Sequence, residues 1–146
     1  MSLRYKSQIP LVLIGSKNAT TGARTSVALT AAYTGNQKTF KVAGYSKVDF
    51  AVLYTMGAAE TANSIEIQVE QSPDGINFYR IPNDTASGGV STLAARNWTF
   101  LGADATAATI SVGLDIFYKF LKVSVKESGV AVNTGTTFVE ATLSGL

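Results

Sequence analysis

Residues 65–81, which read IEIQVEQSPDGINFYRI, decide the fold of this chain. Every second residue from Ile65 to Val69 is apolar, the pattern of a β-strand with one buried face. A turn sequence follows, in which Pro73 presets φ for the first central position and Gly75 accepts the left-handed conformation. A second apolar run, with an aromatic pair in it, extends from Ile76 to Ile81. The stretch therefore predicts a β-hairpin.

The same alternation recurs along the rest of the chain, and it is typical of strands rather than helices. About ten short strands without sustained helical periodicity predict an all-β fold, an antiparallel β-sandwich or jelly roll in a single domain. Residues 83–95 are rich in Ser, Thr, Ala and Gly, and we interpret them as the longest loop. The other predicted strands are Val27–Leu29, Phe40–Val42, Ile9–Ile14, Asn97–Leu101, Ala107–Val112, Leu121–Lys126 and Thr136–Leu143.

One stretch, from Val48 to Met56, is apolar on both sides of the predicted strand. Its even-numbered residues form one apolar side, and Ala51 and Leu53 lie on the other. Such a strand is expected to be central in its sheet, or to be covered by a neighbouring subunit or by another strand layer of the same chain. Ala51 and Leu53 are therefore candidate partner-binding residues, and we expect a homo-oligomer, with a trimer favoured.

The N-terminal part of the chain is basic. Residues 1–48 carry a net charge of +7 and residues 49–146 a net charge of −5, for a total of +2. We interpret residues 1–24 as either an arm that becomes ordered on an acidic partner or a first strand over Ile9–Ile14, and residues 25–146 as the sandwich domain. Under the first alternative the candidate partner-binding residues are Arg4, Lys6, Lys17 and Arg24.

Composition argues against an enzyme. The chain has no Cys and no His, so thiolate nucleophiles, the usual general base and the common zinc ligands are missing. Glu66 and Glu70 share one strand face but lie roughly 13 Å apart by strand rise, whereas glycoside hydrolysis needs carboxyl groups about 5 to 10 Å apart. Asp74-Gly75 offers one carboxylate, which is too few for a calcium loop. We predict no catalytic residue, no cofactor and no metal.

Nucleic acid and membrane are also unfavourable partners. A net charge of +2 gives no dense basic face for phosphates, and no apolar stretch reaches the ~18 residues that span a bilayer. Exposed aromatic rings can bind sugars, however, so a glycan ligand stays open. The aromatic candidates are Phe78, Tyr79, Trp98, Phe100, Phe117, Tyr118 and Phe120.

The hairpin over residues 65–81 resembles one that recurs in structural proteins of tailed-bacteriophage virions. In those proteins a strand ends in Ser-Pro-Asp-Gly and the next strand opens with an aromatic pair; Phe78 stands where a Trp is often found. The strand Phe120–Lys126, a glycine-rich turn and the strand Thr136–Leu143 fit the same pattern. The resemblance covers roughly the last two-thirds of the chain.

Within that group the chain looks most like a capsid decoration, or cement, protein. The resemblance implies a protein that sits on the assembled shell, commonly as a trimer, and bridges neighbouring capsomers. Its partner would be the major capsid protein or another virion protein, and its location the virion, assembled in the host cytoplasm. Two alternatives stay open: a carbohydrate-binding β-sandwich module that uses Trp98 or tyrosines, and a neck, tail or fibre subunit.

Overall fold

A computed structural model describes residues 9–57, 63–80, 82–87, 90–95, 97–101, 108–129 and 135–145. These residues form β-strands and one short 3₁₀ turn, η1 (Tyr33–Gly35). The strands are β1 (Ile9–Ile14), β2 (Ser16–Lys17), β3 (Arg24–Thr25), β4 (Val27–Ala28), β5 (Gln37–Lys41), β6 (Lys47–Thr55), β7 (Ser64–Ser72), β8 (Tyr79–Arg80), β9 (Pro82–Ser87), β10 (Val90–Ala95), β11 (Asn97–Leu101), β12 (Ala108–Asp115), β13 (Phe120–Ser128) and β14 (Thr136–Ser144).

Two antiparallel sheets pack against each other. The first sheet has the order β1-β14-β6-β12, with β4 beside β14, and the second has the order β11-β7-β13-β5, with β8 beside β7. The prediction of an all-β antiparallel sandwich is confirmed. Strand β6 lies between β14 and β12, so the prediction that the strand with two apolar sides is central is also confirmed.

The inward faces of β6, β7, β13 and β14 supply most of the core. In β6 the even-numbered residues from Val48 to Tyr54 are at most 1% exposed, and Ile65, Ile67 and Val69 of β7 are equally buried. Each such side chain contributes about 1.5–3 kcal/mol by leaving water. The alternation seen in the sequence therefore marks the core-facing side of these strands.

The predicted hairpin forms from β7 and β8, and Gly75 has the positive φ, +78°, that the turn requires. Its second strand is described as far as Arg80, and Ile81 lies outside the described residues. This strand begins later than predicted, at Tyr79 and not at Ile76. The cause lies in Asp74, whose Oδ1 accepts hydrogen bonds of 2.8 Å from the backbone N–H groups of both Ile76 and Asn77. These bonds hold the backbone in a loop where the apolar residues alone indicated a strand.

The prediction that residues 83–95 form a loop is wrong. Strands β9 and β10 pair antiparallel in a separate two-stranded sheet, with Ser87 opposite Val90. The two residues between them in the sequence are the pair Gly88-Gly89, and such a pair between two runs is a hairpin signal. Polar composition was a poor guide here because a hairpin outside the two main sheets does not need an apolar face.

Of the two interpretations of residues 1–24, the structure has the strand over Ile9–Ile14. Strand β1 pairs with β14, with Ile9 opposite Leu143, and so belongs to the first sheet. After Gly15, β2 pairs with β3 to form a small hairpin. Arg4 and Lys6 lie outside the described residues.

Candidate functional site

The outer face of the first sheet brings together the two predicted apolar partner residues. Across the β6–β14 pairing Leu53 lies opposite Phe138 and Ala51 lies opposite Glu140. Ala51 and Leu53 are half-buried, and Val12 of β1, opposite Glu140 on its other side, is 37% exposed. We call this surface, made of Val12, Ala51, Leu53, Phe138 and Glu140, the sheet-1 outer face.

The β2–β3 hairpin folds over part of this face. Lys17 Nζ lies 2.8 Å from Glu140 Oε2, and Arg24 lies 3.7 Å from Glu140 Oε1 with its guanidinium 5.4 Å from the Phe138 ring centroid. Gly15 permits this approach, because it has φ +90° and a Cβ there would lie 2.9 Å from the Phe138 ring. Phe138 is consequently only 1% exposed although it points away from the core.

Four of the six predicted partner-binding residues thus lie on or beside one surface, namely Lys17, Arg24, Ala51 and Leu53. The two cations face an acid of their own chain, which offsets the charge that they could offer to a partner. Their role in binding a partner stays a prediction. Their contact with Glu140 could not be read from the sequence, because more than a hundred residues separate the partners.

The outer face of the second sheet carries ion pairs between neighbouring strands instead. Lys122 Nζ lies 2.7 Å from Glu70 Oε2, and Lys126 Nζ lies 3.3 Å from Glu66 Oε2. Burial alone would raise the pKa of Glu66, but hydrogen bonds from Ser128, Lys126 and Tyr33 outweigh it and hold that pKa below its ordinary value. Both carboxylates are therefore engaged in cross-strand contacts.

An open cleft of about 910 Å³ lies at one end of the sandwich. Three of its aromatic side chains are exposed: Phe117 at 75%, Tyr79 at 58% and Tyr118 at 47%. Large exposed rings grouped around a concave surface are typical of binding sites. We call it the aromatic cleft; its lining is Lys47, Asp49, Gln71, Tyr79, Arg80, Gly113, Leu114, Asp115, Phe117 and Tyr118.

The backbone that carries Phe117 and Tyr118 is fixed by the buried side chain of Gln71. Its Oε1 accepts hydrogen bonds from the backbone N–H of Phe117 at 3.0 Å and of Tyr118 at 3.2 Å, and its Nε2 donates to the carbonyl of Asp115 at 3.4 Å. Gln71 is only 3% exposed. The two rings are therefore presented to solvent from an ordered segment.

Gln71 and the charged cleft residues were missed by sequence reasoning. Gln71 follows Ile65, Ile67 and Val69 on the inward side of β7, so the sequence did show a polar residue where an apolar one is expected. For the charged residues of the cleft the sequence shows no comparable feature. Pairing places Lys47 opposite Asp115 and Asp49 opposite Gly113, and a Cβ on Gly113 would lie 2.7 Å from Asp49 Oδ1.

The aromatic candidates behave differently from one another. Tyr79, Phe117 and Tyr118 are exposed, whereas Phe78 and Phe120 are half-buried and Lys122 Nζ lies 4.4 Å from the Phe78 ring centroid. The side chains of Trp98 and Phe100 lie outside the described residues.

Within the described ranges no group of three or more metal-ligating side chains is present. In the same part of the chain no helix has the length and apolar character to cross a membrane. A scan against known protein families found no match, and a search of curated proteins found none either.

Proposed function

We propose that this chain is a non-enzymatic structural protein of a tailed-bacteriophage virion that binds the assembled shell as a decoration protein. Support comes from the resemblance described above, whose residues fall on the hairpin β7–β8 and on the strands β13 and β14. A sandwich whose strands are tied by long-range pairing suits a protein that must bridge neighbouring capsomers under tension.

The difference between the two outer faces is the observation that carries the proposal. On the second sheet, Glu70 and Glu66 are neutralised by lysines of the neighbouring strand, as expected of a solvated face. On the sheet-1 outer face Val12, Ala51 and Leu53 lie beside Glu140, whose cations come from the β2–β3 hairpin and not from a neighbouring strand of the sheet. An apolar surface on a small domain usually marks a contact with another subunit.

We assign this face to the contact between copies of the chain, in an oligomer for which a trimer is favoured. Closed symmetry would bury the face of every copy, so that the oligomer meets the shell with other surfaces. Arg4 and Lys6 stay candidates for the contact with the major capsid protein or another virion protein.

The experiment measures oligomeric state and shell binding together. Purified protein should be an oligomer in multi-angle light scattering and should co-sediment with capsids assembled from a tailed-phage major capsid protein. Leu53→Glu should weaken self-association about tenfold or more, because a charge would be buried at the contact without a partner. The circular dichroism spectrum should not change.

Thr39→Glu is the matched control, since it adds the same charge at an exposed position of β5 in the second sheet. It should leave both measurements unchanged. A monomeric wild type would contradict self-association through this face. Co-sedimentation with isolated tails and not with capsids would favour a neck, tail or fibre subunit, and binding to neither would refute a virion role.

A further inference from the structure

The aromatic cleft shares no residue with the sheet-1 outer face, although Asp49 lies on the same side of β6 as Ala51, and it has a different chemistry. Its rings project from two places, Tyr79 in β8 and the segment Phe117-Tyr118 after β12. An exposed Phe on a backbone fixed by hydrogen bonds gains nothing for folding, because it stays in water. Three exposed rings around one concave surface, unlike a single exposed apolar residue, indicate a ligand that covers them.

The polar residues of the cleft narrow the ligand class. Two cations, Lys47 and Arg80, stand with two acids, Asp49 and Asp115, so the charged lining is balanced. A phosphorylated or polyanionic ligand would need an excess of cations. A balanced set suits a neutral ligand that carries many hydroxyl groups, because carboxylates accept hydrogen bonds from hydroxyls and the cations donate to their oxygens.

The two acids lie close together on one side of the cleft. Asp49 in β6 is opposite Gly113 in β12, and Asp115 is two residues further along β12, so the acids are diagonal neighbours on one sheet face. Diagonal neighbours have Cα atoms roughly 7–8 Å apart. That spacing lets both carboxylates contact neighbouring hydroxyls of one ring or of two linked rings.

We propose that the aromatic cleft binds a neutral saccharide, with the rings of Phe117, Tyr118 and Tyr79 against its apolar C–H faces and with Asp49 and Asp115 accepting hydrogen bonds from its hydroxyls. The cleft volume of about 910 Å³ lies in the range of pockets for small ligands, about 300–1,000 Å³. Gln71 is a positioning residue, since it acts through the backbone of the two neighbouring aromatic residues.

The test uses the full-length protein and an immobilised panel of neutral oligosaccharides: maltohexaose, cellohexaose, chitohexaose and a β-linked galactan. At least one should bind, and calorimetry with that saccharide should give a saturable isotherm. Phe117→Ala and Tyr118→Ala should each weaken binding about tenfold, because each removes a stacking ring. Both side chains are exposed, so the unfolding temperature should not change.

Two further variants separate the cleft from general surface effects. Ile76→Ala is the matched control, because Ile76 is an 81% exposed apolar residue that does not line the cleft, and its binding should equal that of the wild type. Gly113→Ala should weaken binding by pushing the Asp49 carboxylate aside while the strand is kept.

Binding to no member of the panel at millimolar concentration would overturn the proposal. It would also be overturned if a saccharide bound equally well to the wild type and to both aromatic variants. Loss of capsid binding in Phe117→Ala, without any saccharide binding, would identify the cleft as a protein contact instead. Leu53→Glu should leave saccharide binding unchanged, so this proposal and the assignment of the sheet-1 outer face can fail independently.

Discussion

At the scale of single residues, Tyr33 contacts the charged side chains on the outer face of the second sheet. Its hydroxyl donates a hydrogen bond of 3.1 Å to Glu66 Oε2, and Lys126 Nζ lies 4.9 Å from the centroid of its ring. Burial, followed by the charge of Glu66 and the hydrogen bond to it, raises the pKa of Tyr33 to about 12, against a smaller opposite effect of Arg80. The phenol therefore stays protonated well beyond the usual range.

This raised pKa predicts a loss of stability at high pH. A group whose pKa is higher in the folded state stabilises the fold fully below its unfolded pKa, about 10 for Tyr, and loses that contribution as the pH rises through the folded value. The stability that this group contributes is therefore lost between about pH 10 and pH 12. In an ultraviolet titration of the six tyrosines, Tyr33→Phe should remove a step near pH 12.

Glu66→Gln tests the part of the shift that Glu66 adds to the larger effect of burial, because it removes the carboxylate charge and should move the pKa of Tyr33 partly towards its ordinary value. Glu70→Gln is the matched control, since Glu70 pairs with Lys122. A titration curve that is the same in the wild type and in Glu66→Gln would show that the contact with Glu66 does not govern Tyr33.

At the scale of elements, the segment after β12 depends on a side chain from the other sheet. Gln71→Met keeps length and flexibility but removes the acceptor of two backbone N–H groups, those of Phe117 and Tyr118. Leaving such groups without a protein acceptor costs about 1–3 kcal/mol. We expect a lower free energy of unfolding in urea and faster hydrogen exchange at these two amides.

Gln68→Met makes the same chemical change earlier in β7, at a residue that is also buried. Exchange at the amides of Phe117 and Tyr118 should stay slow in that variant. Equal exchange rates in the wild type and in Gln71→Met would mean that Gln71 does not hold the segment.

The strands could be predicted where one face is apolar and the other polar. The hairpin β7–β8 and strand β13 follow from that alternation, because burial of one face is a local property of a strand. The central strand β6 follows from apolar residues on both of its sides. The hairpin β9–β10 was missed because few of its residues are large and apolar, and the start of β8 was misplaced because side-chain bonds to Asp74 override strand preference.

The aromatic cleft could not be predicted because its lining comes from four separate parts of the sequence. Lys47 and Asp49 lie at the start of β6, Gln71 lies one residue before the end of β7, β8 supplies Tyr79, and Asp115 ends β12. Only the pairing of strands brings these residues together. The exposed rings were among the aromatic candidates, but the sequence does not tell an outward ring from a core ring.

At the scale of the whole molecule, the first and the last strand of the described residues pair in the first sheet. Strand β1 pairs with β14, and the following β2–β3 hairpin lies against Phe138 and Glu140 of β14. The uneven charge of the sequence, +7 over residues 1–48 and −5 over residues 49–146, is thereby partly neutralised within the fold. A basic first part need not imply an acidic partner.

This arrangement predicts that Lys17 and Arg24 act mainly on stability. Replacing both with Ser should lower the free energy of unfolding by about 0.5 kcal/mol at low salt, because exposed ion pairs contribute little and the two cations share one acid. The difference from the wild type should shrink as salt screens the charges. Lys38→Ser with Lys41→Ser is the matched control, since these exposed residues of β5 change the net charge equally on the other sheet and should affect stability less.

Capsid binding measured across the same salt range should keep its slope in the Lys17 and Arg24 variant. A flatter slope with unchanged stability would show that the two cations bind the partner and not Glu140.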